Sequence, residues 1–132
     1  MRSRDGRDHS LRELTGGETS LVIFWSRHCG YALEALPEIS TLIARLRTAG
    51  TPVVFVVDEP ASADFDEFLT RKQITWPVHY DARTALGNAM RNFGTPYYYV
   101  VDGANRIRFS NVEELGDLYG RLAAVAADDG SR

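Results

Sequence analysis

Short continuous runs of apolar residues predict the strands of a buried sheet. Runs rich in β-branched and aromatic residues cover 20–25, 53–57 and 97–101, a further strand is expected at 106–110, and a short extended piece at 74–79 surrounds Trp76 and Pro77. The runs at 20–25 and 53–57 hardly alternate between apolar and polar positions, as expected of strands that are buried on both faces. The pattern implies a parallel or mixed sheet, with the last two strands forming an antiparallel hairpin.

Between these runs, apolar residues recur at three- and four-residue intervals, which predicts amphipathic helices. The helices are expected at about 31–49, 62–72, 84–92 and 112–127. Pro37 lacks a backbone donor and should kink the first helix, and Gly50 should end it. Ser62 or Asp64 is expected to cap the second helix, and Asp81 the third. The order of strands and helical crossovers indicates an α/β fold with a central mixed sheet.

The chain has the length and composition of one compact domain. Its 132 residues, of which 44% are apolar and 11% aromatic, suffice for one hydrophobic core and are too few for two ordinary domains. We expect residues 1–18 to form a loose arm with one helical turn at 11–14. Residues 19–127 should form the folded domain, and residues 128–132 should be a frayed tail.

Charge and hydropathy limit the kinds of partner. The net charge is -3, and residues of both signs are mixed along the chain without a basic stripe, so nucleic acid is not an expected partner. No apolar run approaches the roughly 18 residues of a membrane span, and the charged residues 1–10 are unlike a signal peptide. We therefore expect a soluble chain, which could be part of a longer, anchored protein.

The single cysteine, Cys29, carries most of the candidate chemistry. It excludes an intramolecular disulfide and a cysteine-rich zinc site, and the sequence indicates no metal and no cofactor. Cys29 follows a buried strand and precedes an amphipathic helix, whose N-terminus stabilises a thiolate; Arg27 and His28 could add positive charge. A lone cysteine is more often a small buried hydrophobic residue. The polar residues around Cys29 favour an accessible, reactive thiol instead.

Other candidate residues have structural interpretations of comparable weight. Trp25 is as easily a packed core aromatic as a substrate contact. His79 is a strand residue rather than a metal ligand, because no second ligand lies at zinc-site spacing. Asp58 and Glu59 end a strand at the side of the sheet where α/β sites gather, although a solvated loop explains them equally well.

The stretch around Cys29 resembles the active site of a known family. It reads Phe24-Trp25-Ser26-Arg27-His28-Cys29-Gly30-Tyr31-Ala32, followed by Leu36-Pro37-Glu38-Ile39. This is similar to the strand, turn and kinked helix of thioredoxin-like thiol-disulfide oxidoreductases of the TlpA/ResA type. The strand at 53–57, Trp76-Pro77-Val78 with Asp81, and Gly94-Thr95-Pro96 agree with that family in order and spacing. The resemblance covers about residues 10–127.

The resemblance implies a three-layer α/β/α fold and a site for thiol chemistry. Cys29 is then the nucleophile, and the active-site turn consists of Trp25, Ser26, Arg27, His28, Gly30, Tyr31 and Ala32. The bond between Thr95 and Pro96 is implied to be cis and to face Cys29, with Tyr97 beside a groove for an extended substrate. The implied partners are thiols and disulfides of proteins or small molecules. Members of this family usually work outside the cytoplasm, so an extracytoplasmic location is expected.

The chain departs from the family pattern at three positions. Ala32 stands where the second, resolving cysteine is expected, so a mixed disulfide at Cys29 cannot be released from within the chain. Ala35 stands where an acidic residue is often found, and its role should not be transferred to Glu34. Ile23 occupies the strand position at which thioredoxin keeps a buried carboxylate. The chain is therefore either a one-thiol relative or a variant that traps its substrates.

Three functions from different classes remain open at this point. The first is a thiol-disulfide oxidoreductase domain in which Cys29 forms a mixed disulfide. The second is a one-cysteine peroxidase, because Ser26 precedes Cys29 by three residues as in the peroxiredoxin motif; Val22 falls where that motif has proline. The third is a non-catalytic binding module that keeps only the groove beside Pro96.

Overall fold

The computed structural model describes residues 1–3, 6–92, 94–111 and 114–130. Within these ranges the strands are β1 (Ser20–Trp25), β2 (Val53–Val57), β3 (Val78–Tyr80), β4 (Tyr97–Val101) and β5 (Ile107–Ser110). The helices are α1 (Leu11–Thr15), α2 (Gly30–Thr48), α3 (Ala63–Arg71), α4 (Ala85–Ala89) and α5 (Asp117–Gly130). The predicted alternation of strands and helices is confirmed.

The strands form one mixed sheet in the order β3-β2-β1-β4-β5. Strands β1, β2 and β3 run parallel, while β4 is antiparallel to β1 and β5 is antiparallel to β4. The predicted mixed sheet and the terminal hairpin are therefore confirmed. All residues of β1 are buried because this strand lies at the centre of the sheet and is covered on both faces.

Alternate residues of β1 face two separate hydrophobic cores. Leu21, Ile23 and Trp25 pack in the larger core with buried residues of α2, α3 and α5. Val22 and Phe24 pack in the smaller core, against which residues of α1 and α4 also pack. Side chains alternate between the two faces of a strand, so both faces of β1 are apolar and both are covered by helices. The result is the three-layer α/β/α arrangement of the thioredoxin-like fold.

Helices α2 and α3 have the end signals that their sequences predict. Gly50, with φ of +80°, follows α2, and the amide N–H of Thr51 donates to the carbonyl of Leu46 at 2.9 Å. The hydroxyl of Ser62 accepts from the amide N–H of Phe65 at 3.0 Å at the start of α3. Ser62, rather than Asp64, is therefore the cap of α3.

The other two predicted helices differ from the structure at their ends. Helix α4 covers only 85–89 rather than 84–92, and Arg91, with φ of +54°, is incompatible with a continuing helix. Helix α5 begins at Asp117 rather than 112; positions 112 and 113 lie outside the described residues. The predicted frayed tail is wrong for 128–130, because α5 continues to Gly130. Asp129 is held there by the hydroxyl of Thr19 and by the amide N–H of Gly103.

The N-terminal residues contact the sheet rather than forming the loose arm that was predicted. Arg2 and Tyr80 exchange two backbone hydrogen bonds, of 3.0 and 2.7 Å, at the free edge of β3. Met1 packs against the smaller core, and Ser10 caps α1 by accepting from the amide N–H of Glu13. The arm binds there because an edge strand presents unpaired backbone donors and acceptors.

Candidate active site

Cys29 lies at the junction between the central strand and the longest helix. It occupies the N-cap position of α2 with extended backbone angles, φ of -107° and ψ of 120°, and its side chain makes no capping hydrogen bond. Its carbonyl accepts from the amide N–H of Leu33 at 3.0 Å, so the helical bonding begins at this residue. The thiol is half-buried and lies beside the unpaired amide N–H groups of the first turn.

Thr95 contacts Cys29 from the other side of the site. The Sγ of Cys29 donates to the carbonyl of Thr95 at 3.1 Å, and the bond between Thr95 and Pro96 is cis. Sixty-six positions separate Cys29 and Thr95, and the pairing of β4 beside β1 brings them together. Tyr97 is half-buried; its ring lies 4.9 Å from that of Tyr99 and packs against the smaller core.

The surroundings of Cys29 lower the pKa of its thiol. A hydrogen bond from the Thr95 side chain favours the thiolate most, and the backbone of Ala32 and of Tyr31 adds to this effect on the pKa. Burial and the negative charge of Asp58 act in the opposite direction. The bond to the Thr95 carbonyl also opposes ionisation, because only the neutral thiol can donate it. The groups that lower this pKa most, among the residues that the structure describes, are therefore polar and uncharged.

Arg27 does not supply the positive charge that the sequence suggested for the thiol. Its guanidinium donates to both carboxylate oxygens of Glu59, at 3.0 and 2.8 Å, and lies 2.9 Å from the carboxylate of Asp64. The same group stacks over the ring of Phe65 at 5.0 Å. The two carboxylates neutralise the charge of Arg27. Their ion pairs with it connect the active-site turn to α3 and to the loop after β2.

The remaining polar residues of the turn are divided between its interior and its surface. Ser26 is buried, and its hydroxyl accepts from the amide N–H of His28 at 3.2 Å, which fixes the turn. The His28 side chain is exposed, with Nε2 3.7 Å from Glu59. Gly30 is exposed, and Tyr31 presents 79% of its surface to solvent. His28 and Tyr31 therefore flank Cys29 where a reaction partner would approach.

Trp25 and Ala32 both belong to the core beneath the thiol. Trp25 is fully buried, packs 5.7 Å from the ring of Phe55, and donates through Nε1 to the carbonyl of Ala32 at 2.7 Å. Ala32 is also fully buried. Trp25 therefore has the structural position of a core aromatic that holds the first turn of α2. At Ala32, where the family resemblance implies a resolving cysteine, the structure has a buried methyl group.

A cleft of about 370 Å³ opens beside Cys29. It is bounded by the ends of β1 and β2, by α4 and by the backbone before β4. Besides Cys29, its charged or titratable lining residues are Asp58, Asp81 and His28. The carboxylate of Asp81 accepts from the amide N–H groups of Leu86 and Gly87, at 3.1 and 2.9 Å. Asp58 is exposed. The predicted cap at Asp81 thus forms one wall of the site.

Sequence reasoning did not identify the polar residues on the far wall of this cleft, which are Thr84, Asn88 and Asn92. The sequence does contain an indication that the segment after β3 lies at this cleft. Parallel strands end at the same edge of a sheet, and the loops that follow them meet there. Asp81 follows β3 directly, so its loop and α4 had to lie beside the loop after β1. The local sequence pattern does not, however, indicate that Asn88 and Asn92 in particular line the cleft.

Among the residues that the structure describes, no group of three or more histidine, cysteine or acidic side chains could hold a metal ion. No helix in this part of the chain is both long and apolar enough to span a bilayer.

Comparisons with known proteins identify similar sequences and structures. The redoxin family model matches residues 2–121. Thiol-disulfide oxidoreductase YkuV of Bacillus subtilis is 30% identical over 102 residues, which cover 73% of this chain and 68% of that protein.

Solved structures show the same fold. The thioredoxin domain of a thiol-disulfide oxidoreductase from Bacteroides vulgatus matches with a TM-score of 0.75 and 18% identity, covering 95% of this chain and 90% of that one. StoA from Bacillus subtilis matches with a TM-score of 0.74 and 17% identity, covering 91% and 92%. At these identities the likeness concerns the fold alone.

Proposed function

The chain belongs to the redoxin family as a thioredoxin-like thiol-disulfide oxidoreductase domain with a single cysteine, and we propose that Cys29 is its nucleophile. The observation that carries this proposal is the position of the thiol. Cys29 occupies the N-cap position of a 19-residue helix and lines a cleft. The Thr95 side chain and the backbone of Ala32 and Tyr31 lower the pKa of its thiol. Low pKa and access are the properties of reactive cysteines.

The reaction that follows from one thiol is the formation of a mixed disulfide. The Cys29 thiolate attacks one sulfur of a disulfide, a new bond forms between the two sulfurs, and the other sulfur leaves as a thiolate that takes a proton from water. Cys29 is oxidised, and half of the substrate disulfide is reduced. The Thr95 carbonyl, 3.1 Å from Sγ, orients the thiol before it ionises.

Release of the mixed disulfide then needs a second molecule. Ala32 provides no sulfur, so a small thiol or a thiol of another protein must attack the substrate sulfur and expel Cys29 as a thiolate. Substrates of the family are thiols and disulfides, and we propose that the groove beside Thr95, Pro96 and Tyr97 receives them. The buried Trp25 and the paired Arg27 hold the turn in place.

The proposal is tested by measuring whether Cys29 forms a mixed disulfide with a neutral disulfide. The chain is incubated with 2-hydroxyethyl disulfide, and the intact mass and free thiol are followed with time. We expect one stable adduct per chain, formed faster than with free cysteine, and its loss only after an external thiol is added. Absence of the adduct, or formation no faster than with the free amino acid, would overturn the proposal.

Two variants sharpen the test. Cys29→Ser should form no adduct. Ala32→Cys should release the bound group without an external thiol and form an internal disulfide, because the second sulfur restores the missing step. If extended peptides bind equally well to the chain and to Cys29→Ser and no adduct forms, the binding-module function replaces the proposed one.

A further inference from the structure

The charged groups around the cleft are unevenly distributed. Two carboxylates, Asp58 and Asp81, line it together with His28, while no lysine or arginine does so among the described residues. The nearest cation of the active-site turn, Arg27, is held by Glu59 and Asp64. A molecule that enters the cleft therefore meets negative charge beside Cys29.

Of the two carboxylates, only Asp58 is exposed to an entering molecule. Asp81 is buried, and both of its oxygens accept from backbone amides of α4, so its charge is satisfied within the protein. Asp58 directly follows β2, is exposed, and is close enough to Cys29 for its charge to oppose ionisation of the thiol. It is positioned to act on the partner of Cys29 as well.

From this arrangement we propose that Asp58 determines the charge specificity of the site, so that Cys29 reacts with positively charged small thiols and disulfides in preference to negatively charged ones. The inference rests on the proposed function, because it requires Cys29 to exchange disulfides. The chemical class favoured is the aminothiol, which carries an ammonium group close to its sulfur. A carboxylate-bearing thiol is disfavoured.

Asp58 would act on both steps through the charge of the small molecule. In the first step, the Cys29 thiolate attacks a disulfide whose ammonium group is attracted by Asp58, and an aminothiolate leaves and takes a proton from water. In the second step, a further aminothiolate attacks the sulfur bound to Cys29, and Cys29 leaves as a thiolate. Electrons balance in each step, since one disulfide bond breaks as another forms.

The size of the effect follows from elementary electrostatics. The carboxylate of Asp58 and a unit charge on the small molecule, taken as about 6 Å apart at the dielectric constant of water, change the rate of reaction with Cys29 roughly threefold. The rate rises for a positive charge and falls for a negative one. The ratio of rates for a cationic and an anionic disulfide should therefore change about tenfold at low ionic strength. Added salt should reduce this ratio, because Asp58 is exposed and its field is screened over about 10 Å at 0.1 M.

The experiment measures the second-order rate constant of Cys29 with three symmetrical disulfides, one for each charge. Cystamine is the cationic probe, 2-hydroxyethyl disulfide the neutral probe, and dithiodiglycolate the anionic probe. The ratio of the cystamine rate to the dithiodiglycolate rate is compared between the native chain and Asp58→Asn at low salt. Because both rates share one thiolate fraction, any change in the pKa of Cys29 cancels in the ratio.

We expect Asp58→Asn to lower the ratio about tenfold and Asp58→Lys to lower it further. The control is Glu67→Gln, which removes the same charge from an exposed residue of α3 that does not line the cleft, and should leave the ratio unchanged. An unchanged ratio in Asp58→Asn would overturn the inference, as would an equal fall in Glu67→Gln.

The neutral probe separates this inference from the proposed function. If 2-hydroxyethyl disulfide forms no adduct at Cys29, the proposed function fails, and the inference falls with it. If the adduct forms at the same rate constant in all variants, after correction for thiolate fraction, while the charge ratio does not respond to Asp58, only the inference fails.

Discussion

At the scale of single residues, Thr95 acts on the thiol in two opposite ways. Its side chain makes the largest contribution to the lowered pKa of Cys29, whereas its carbonyl accepts the hydrogen bond that the neutral thiol donates. The two effects are separable, since a substitution can remove the hydroxyl and leave the backbone in place. Valine has the same shape as threonine without the hydrogen-bonding group.

We therefore expect Thr95→Val to raise the pKa of Cys29 towards that of an ordinary thiol. The pKa is measured from the pH dependence of the rate of alkylation by iodoacetamide, and the variant should react more slowly at neutral pH. Thr70→Val is the control, because Thr70 is an exposed residue of α3 and does not line the cleft. A pKa that falls in Thr95→Val would show that the hydroxyl does not stabilise the thiolate.

At the scale of elements, α3 supports the active-site turn from outside. Its inward residues Phe65 and Phe68 belong to the larger core, and the ring of Phe65 and the carboxylate of Asp64 both contact Arg27. The start of the helix is fixed by the hydroxyl of Ser62, which pairs with an otherwise unsatisfied amide. The stability of α3 and the position of the turn are thus linked.

Loss of that cap should destabilise the fold measurably. We expect Ser62→Ala to lower the free energy of unfolding by about 1 kcal/mol, determined from urea denaturation, because the amide N–H of Phe65 loses its partner. Ser62→Asp is the matched control, because its carboxylate keeps an acceptor for the amide N–H of Phe65, and it should leave the free energy of unfolding nearly unchanged. Equal losses in both variants would mean that the hydroxyl is not what stabilises the start of α3.

At the scale of the whole molecule, the N-terminal arm covers the edge of the sheet and encloses His79. Arg2 pairs with Tyr80, and the ring of His9 lies edge-on to that of His79, with centroids 6.3 Å apart. Burial lowers the pKa of His79, and the positive charges of His9 and of the amino terminus lower it further. The folded chain therefore favours neutral His79.

The sign of the resulting pH dependence is fixed by that lowered pKa. His79 contributes stability above its unfolded pKa of about 6.5, and the contribution is lost as the pH falls from there towards the folded pKa. We expect the free energy of unfolding, measured with urea, to decrease between pH 7.5 and 5.5, and to decrease less in His79→Gln. Identical pH dependence in His79→Gln and the native chain would contradict the interpretation.

Local patterns were sufficient to predict the elements and the placement of the thiol. The strand at 20–25 and its neighbour at 53–57 are recognisable from their continuous apolar runs, and Gly50 and Ser62 from their chemistry at helix ends. These features can be recognised because backbone hydrogen bonding and burial make apolar positions repeat at short, regular intervals within one helix or strand. The candidate nucleophile, Cys29, is also recognisable from the sequence, and the family resemblance implies that Ala32 stands where a second thiol is expected.

Only the tertiary structure decided which groups act on Cys29. It pairs Arg27 with Glu59 and Asp64 instead of with the thiol, and it places Asp58 in the lining of the cleft. The position of Thr95 beside Cys29 was implied only by the family resemblance, and the fold provides it through the pairing of β4 with β1. The tertiary structure also placed the arm on β3 rather than in solvent. These are contacts between residues far apart in sequence. Their energies depend on distance and burial in the folded chain, and a local sequence pattern contains neither quantity.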